Sequence, residues 1–277
     1  MSLDYLTVDG ATPVEQVLAA AEAGFDAVGL RLLAPPDLPL AHEVVDDPAT
    51  IRAIGQACRR TGVAVLDAEA FFIAPALDPE RLVRATAVAA ELGASTLLAV
   101  IADADRPRAL DRFAGLCDAA GSLGLDVALE FMRWSPVGTV EDAAAFVDAT
   151  GCANAGVCID ALHLSRSGGW PGRLPAVPRA GTFIQLSDAP AQLPAVDALL
   201  AEARGDRRYP GDGDLPLDDL LDALPADTPV SIEVPHRVHA RLGVTERARL
   251  AGDALRAWLT GHAVRTDGRA TREDLVG

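Results

Sequence analysis

Apolar positions recur along this chain in two alternating rhythms. Stretches rich in Ala and Leu, with helical spacing, end at a glycine, and a short β-branched apolar run follows at once. The pattern reads EQVLAAAEAG then FDAVGLR, RAIGQACRRTG then VAVLDAE, RATAVAAELG then ASTLLAV, and RFAGLCDAAGSLG then LDVALEF. It continues with AAAFVDATG then CANAGVCID, and AVPRAG then TFIQLSD. The glycines are Gly24, Gly62, Gly93, Gly124, Gly151 and Gly181, spaced by 38, 31, 31, 27 and 30 residues. A glycine just past a helix supplies the left-handed cap that ends it. A period near 30 is the size of one βα unit.

An initial run, SLDYLTV, and a final one, PVSIEVP, bring the predicted strands to eight. Eight βα units in this length predict a single (β/α)₈ TIM barrel. A doubly wound sheet is the rival, but TVDGATPVEQV after the first strand lacks the G-x-G-x-x-G of a dinucleotide fold. The predicted barrel domain covers residues 1–262, and residues 263–277 form a polar C-terminal tail. Two connections are long, LLAPPDLPLAHEVVDD after strand 2 and the run from Asp188 to Leu217 after strand 7. Both leave carboxyl ends of strands, where barrel active sites lie, and Pro and Gly punctuate both as ordered rim loops.

Four predicted strands end in a polar residue able to bind a metal: Glu130, Asp160, Gln185 and Glu233. An unpaired buried carboxylate costs several kcal/mol, so four such residues at one end of strands 5 to 8 need a common cause. Adjacent strands lie ~4.8 Å apart, close enough for their side chains to converge on one ion. An all-oxygen set suits a hard divalent cation, Mg²⁺ or Mn²⁺, with Co²⁺ as an alternative. His163, three residues after Asp160, falls on the same helical face and is the candidate base, acid or further ligand. Asp188 is a candidate for orienting a neighbouring ligand. Arg207 precedes YPGDGD and is a candidate substrate anchor, as are Arg31, closing strand 2, and His236, just past Glu233. Asp67 and Glu69, placed after strand 3, form a further candidate acid pair.

Composition narrows the chemistry. The 24 basic residues are all Arg, which excludes a Schiff-base lysine and a Walker A loop. A formal net charge of −16 argues against nucleic acid and anionic membrane surfaces as partners. Four cysteines without a C-x-x-C pair read as free thiols of a cytoplasmic protein. The segment MSLDYLTVDG has no signal-peptide character, and no apolar run reaches the length of a membrane span.

These motifs resemble the xylose isomerase-like TIM-barrel superfamily, which includes sugar isomerases, epimerases, inosose dehydratases and endonuclease IV. The family's metal set is usually Glu, Asp, His and Glu on strands 5 to 8. Glu130, Asp160 and Glu233 match it, as does the D-x-x-H of Asp160 and His163, whereas Gln185 replaces the usual His. With IQLSDAP and RRYPGDGDLPL, that glutamine is similar to the bacterial 3-dehydroshikimate dehydratases. Endonuclease IV is disfavoured, because only five histidines are present. The resemblance implies a metal-dependent lyase that removes a proton alpha to a carbonyl of a polyhydroxylated keto substrate and then a β-hydroxyl. A sugar isomerase or epimerase, with Glu130 and Glu233 as its two bases, is the alternative. A polyol-binding barrel without catalysis is a third reading, and a homodimer is left open.

Overall fold

The computed structural model of the chain describes residues 1–36, 38–170, 174–178 and 180–273, the last nine as backbone. Eight parallel strands close a barrel in sequence order: β1 Ser2–Leu3, β2 Ala27–Arg31, β3 Ala64–Ile73, β4 Ala94–Ile101, β5 Asp126–Glu130, β6 Ala155–Asp160, β7 Phe183–Leu186 and β8 Val230–Ile232. The helices between them are α1 Pro13–Glu22, α2 Pro48–Thr61, α3 Pro79–Glu91, α4 Arg106–Gly121, α5 Val140–Thr150, α6 Ala161–Arg166, α7 Leu199–Gly205 and α8 Leu217–Asp222, with α9 Val244–Glu273 after the last strand.

The helix boundaries follow local chemistry. Thr12, Asp47, Asp78, Asp105 and Thr139 each accept a backbone N–H from the first turn of α1 to α5. A proline opens α1, α2 and α3, where its missing N–H costs nothing. At the other ends, Gly24, Gly62, Gly93, Gly124 and Gly151 have positive φ, from 65° to 80°, and Gly181 before β7 has one of 67°.

The main core lies between the strands and the helix layer, as in the buried contacts of Val28, Leu30, Ile54, Leu97, Phe113 and Phe146. A second apolar cluster, Leu98, Ala128, Cys158 and Phe183, is separate from it. Glu130 and Asp160 follow Ala128 and Cys158 by two residues on β5 and β6, and so share their face of the sheet. The barrel is closed by side chains as well as backbone. Asp4 N donates to Ile232 O (3.2 Å), and Thr7 Oγ1 donates to Ile232 O (2.8 Å) while accepting from Val234 N (2.9 Å).

The structure departs from expectation at four places. SLDYLTV yields a strand of two residues, because Asp4 caps a 3-10 turn over Tyr5–Val8. Asp67 and Glu69 lie inside a ten-residue β3, not after it. The segment before β7 carries no helix at residues 174–178; two prolines in LPAVP remove backbone donors there, and Arg179 lies outside the described residues. The last helix continues to Glu273 through most of the stretch read as a tail, whose residues 274–277 lie outside the described ones. Among the described residues, no helix is long and apolar enough to cross a membrane.

Candidate active site at the carboxyl ends of the strands

Strand register brings the predicted residues to one mouth of the barrel. Asp160 pairs with Gln185, and Leu186 pairs with Ile232, which places Glu233 one step above the β7–β8 ladder. Strand β6 runs directly into α6, and Asp160 serves as that helix's cap, its Oδ1 accepting from His163 N at 2.8 Å. The D-x-x-H spacing is therefore a capping spacing. It turns the buried imidazole of His163 toward β5, with Nε2 3.5 Å from Glu130 Oε1. Trp134 packs edge-on against that ring at 5.2 Å.

Arg207 is the centre of charge. It is 2 % exposed; Nη1 lies 2.5 Å from Asp160 Oδ2 and 2.9 Å from Glu233 Oε2, and Nε donates to Ala203 O at 2.9 Å. It binds the acid set from within instead of standing free as a substrate anchor. Its loop is held by Asp188, which accepts from Ala189 N and Leu215 N through Oδ1 and from Gly211 N through Oδ2. Asp188 thus orders the loop and does not orient a ligand. Gly213 is required beside it: an added Cβ would lie 2.6 Å from both Ala189 N and Ala189 O.

Gln185 is buried next to this group, with its carboxamide engaged elsewhere. Oε1 accepts from the Cys158 thiol at 3.0 Å, and Nε2 donates to Asp4 Oδ2 at 2.9 Å. Arg31 reaches the cavity, 3.2 Å from Glu69 Oε2 and 5.1 Å from the centre of the Tyr5 ring. His236 does not. Its Nδ1 accepts from Val238 N and His239 N, and its ring stacks on His239 at 4.2 Å, outside the cavity lining. Asp4 went unread in the sequence because it sat inside an apparent strand. The available signal was its place directly after Leu3, matching that of Glu233 directly after Ile232.

A cavity of about 500 Å³ opens above these groups. Glu69, Glu130, His163, Arg207 and Glu233 form its polar floor, and its walls include Leu38, Leu40, Phe72, Ile101, Met132 and Trp134. Burial pushes the Glu130 and Glu233 carboxyls well up, with Asp160 adding to the rise at Glu130. Burial acts on Asp160 in the same direction, but Arg207 overcomes it and holds this carboxyl below its usual range. Burial lowers His163 to about 4, leaving a neutral imidazole at neutral pH.

These residues fit a divalent cation. Glu130, Asp160 and His163 each offer a ligand atom, all within 4.8 Å of one another. Glu233 Oε2 is buried without an aligned hydrogen bond.

The model for xylose isomerase-like TIM barrels matches residues 17–261. The chain belongs to this family. No curated protein matches the sequence. Among solved structures, it is similar to a xylose isomerase-like TIM barrel/4-hydroxyphenylpyruvate dioxygenase fusion protein (21% identity, 98% of this chain and 44% of that one, TM-score 0.80). The chain thus spans less than half the length of that relative. It is also similar to an IolI protein with a bound zinc atom (18%, 94% and 98%, 0.78) and to the probable 3-DHS dehydratase AsbF of Bacillus anthracis (12%, 92% and 97%, 0.71). At these identities the likeness shows the xylose isomerase-like fold alone.

Proposed function

We propose that this chain is a divalent-metal-dependent lyase, a dehydratase of the 3-dehydroshikimate type acting on a polyhydroxylated ring ketone. The observation that carries the reading is His163, a neutral imidazole at the cavity floor with Nε2 3.5 Å from Glu130. Glu130, Asp160 and Glu233 would hold the ion, and their oxygen donors favour Mg²⁺ or Mn²⁺, with Co²⁺ as an alternative; Gln185, expected as a fourth ligand, has its carboxamide taken up by Cys158 and Asp4. Such an ion would supply Lewis-acid polarisation of the ketone. His163 Nε2 takes the proton alpha to the carbonyl, and the C–H electron pair moves into the carbonyl system. The resulting imidazolium returns that proton to the hydroxyl leaving the β-carbon. Water departs and a carbon–carbon double bond remains. One group serving both transfers suits elimination from a single face of the ring. Arg207 fixes Asp160 and Glu233, and Arg31 offers donors to substrate oxygens.

One observation favours a sugar isomerase or epimerase as a second reading. Glu130 and Glu233 both line the cavity, from the end of β5 and from just past β8, which would let two carboxylates serve as the two bases. Incubation with 3-dehydroshikimate, with Mg²⁺, Mn²⁺ and Co²⁺ supplied in parallel, tests the lyase through the ultraviolet absorbance of its aromatic product. Solvent deuterium entering a ketohexose, with no such absorbance, would move the assignment to the second reading. Neither signal with any ion would sink both.

A further inference from the structure

The floor of the barrel holds more negative charge than the site described so far can use. Asp4, Asp67, Glu69, Glu130, Asp160 and Glu233 are each at most 6 % exposed. Their fields overlap: Glu130 feels Glu69 and Asp4, Asp67 feels Asp4 and Glu130, and Glu233 feels Asp4. Two guanidinium groups face them, Arg31 on Glu69 and Arg207 on Asp160 and Glu233. Fully ionised, six carboxylates against two guanidinium groups would leave four charges, to be met by protons or by bound cations. One divalent ion at the Glu130–Asp160–Glu233 position halves that excess and does not remove it. Uncompensated charges in a protein interior cost several kcal/mol each.

The excess is concentrated on β1 and β3. Asp4, Asp67 and Glu69 each offer an oxygen, all within 4.8 Å of one another. Asp67 is wholly buried, and neither of its carboxylate oxygens has a hydrogen-bond partner. Glu69 Oε2 accepts from Arg31, while its buried Oε1 has no hydrogen-bond partner. Asp4 receives one hydrogen bond on each oxygen, from Leu6 N and from Gln185 Nε2, which leaves each oxygen a free lone pair. Ser2 Oγ and Ser231 Oγ, paired across the β1–β8 ladder, are also buried without partners. The chain makes room for this group at Gly29, where an added Cβ would stand 2.7 Å from Asp67 Oδ1. Buried polar atoms are ordinarily satisfied, so unpartnered oxygens of Asp67 and Glu69, gathered with Asp4, point to a bound species that accepts their lone pairs.

We propose that Asp4, Asp67 and Glu69 form a second cation site, taking a hard divalent ion of the Mg²⁺, Mn²⁺ or Ca²⁺ class. The donors are oxygen only, as such ions prefer, and a small ion keeps waters in its remaining positions. Glu69 lines the cavity, so those positions open toward substrate. Gln185 links the two sites, its amide nitrogen on Asp4 and its side chain beside Asp160 on the neighbouring strand. Two divalent ions and two guanidinium groups balance the six carboxylates. The proposal is independent of which reaction the barrel performs.

Manganese alone is the probe. The full chain is stripped with chelator, dialysed and titrated with Mn²⁺, with bound metal counted by elemental analysis and followed by electron paramagnetic resonance. The wild type should bind two Mn²⁺ per chain, with spectra broadened by coupling between neighbouring ions. Asp67→Asn should bind one, with an uncoupled spectrum, and Asp4→Asn should do the same if the first variant folds poorly by circular dichroism. Glu130→Gln should also bind one, by losing the other ion. A single ion in the wild type would overturn the proposal and mean that Asp67 is satisfied by a proton. Two ions retained in both Asp67→Asn and Asp4→Asn would place the second ion elsewhere and overturn it equally.

Discussion

Replacing Arg207 with Met keeps most of the side-chain volume and removes the charge between Asp160 and Glu233. Both carboxylates are buried, and Arg207 Nη1 lies 2.5 and 2.9 Å from them. Removing one partner of a buried pair costs about 3–5 kcal/mol, because the other charge is left uncompensated. In a chain of this size each kcal/mol moves Tm by roughly 2–4 °C, so chelator-treated Arg207→Met should melt roughly 6–20 °C below the wild type. Differential scanning calorimetry at neutral pH measures the gap. Raising the salt concentration should leave it nearly unchanged, since buried pairs are poorly screened. Saturating Mn²⁺ should narrow it, because an ion beside the same carboxylates replaces part of the missing charge. A gap below about 2 °C in chelator would refute the reasoning, and would mean that Asp160 and Glu233 are stabilised by something other than this guanidinium.

Three further outcomes follow. His163→Asn should lower kcat on the accepted substrate by ~10²–10⁴-fold, the usual contribution of a general base, and an unchanged kcat would remove His163 from the chemistry. Asp188→Ala leaves the N–H groups of Ala189, Gly211 and Leu215 without their acceptor, at about 1–3 kcal/mol for each that stays buried. Limited proteolysis should then cut between Arg207 and Leu215, and equal resistance in the two proteins would show that the loop is held by other contacts. Burial, with Glu69 adding to it, raises Asp4 from 3.8 to about 8. A carboxyl raised on folding stabilises below its unfolded value and loses that contribution as pH climbs through the folded one. Chelator-treated protein should therefore lose on the order of 5 kcal/mol between about pH 4 and 8. Urea titrations across that range should show Asp4→Asn flattening the slope, and an identical slope would contradict the assignment.

The repeat of helix, glycine and strand was legible because each part depends on neighbours in sequence. Five of the six glycines, Gly24, Gly62, Gly93, Gly124 and Gly151, take the left-handed conformation that ends a helix, whatever the helix packs on. Glu130, Asp160 and Glu233 were legible for a related reason: a polar residue closing an apolar run stands out locally. What escaped is what long-range pairing decides. Asp67 and Glu69 lie within β3 because that strand pairs on to Ile101 of β4, a length its own residues do not announce. Asp4 lies beside Gln185 only once the barrel has closed, 181 residues apart in the chain. Arg207 reads in the sequence as a substrate anchor because its loop is rich in Gly and Pro. The register that drops it between Asp160 and Glu233 is set by the carboxylate of Asp188 and the bridge to Arg208. His236 failed in the opposite sense: nearness to Glu233 in sequence did not turn its ring into the cavity.

The clasp of Thr7 on Ile232 and Val234 joins residues about 225 positions apart. A ribosome adding ~5–20 residues per second needs on the order of 10–45 s to cover that distance. For that interval the first stave of the barrel has one neighbour and an open flank, and Asp4 has not met Gln185. The Glu233 side of the carboxylate floor therefore joins the rest only when β8 docks, as one of the last events in the making of the molecule. An ion held by Glu130, Asp160 and Glu233 thus enters a finished barrel through the mouth, whereas Asp4, Asp67 and Glu69 stand on or beside the strands made first.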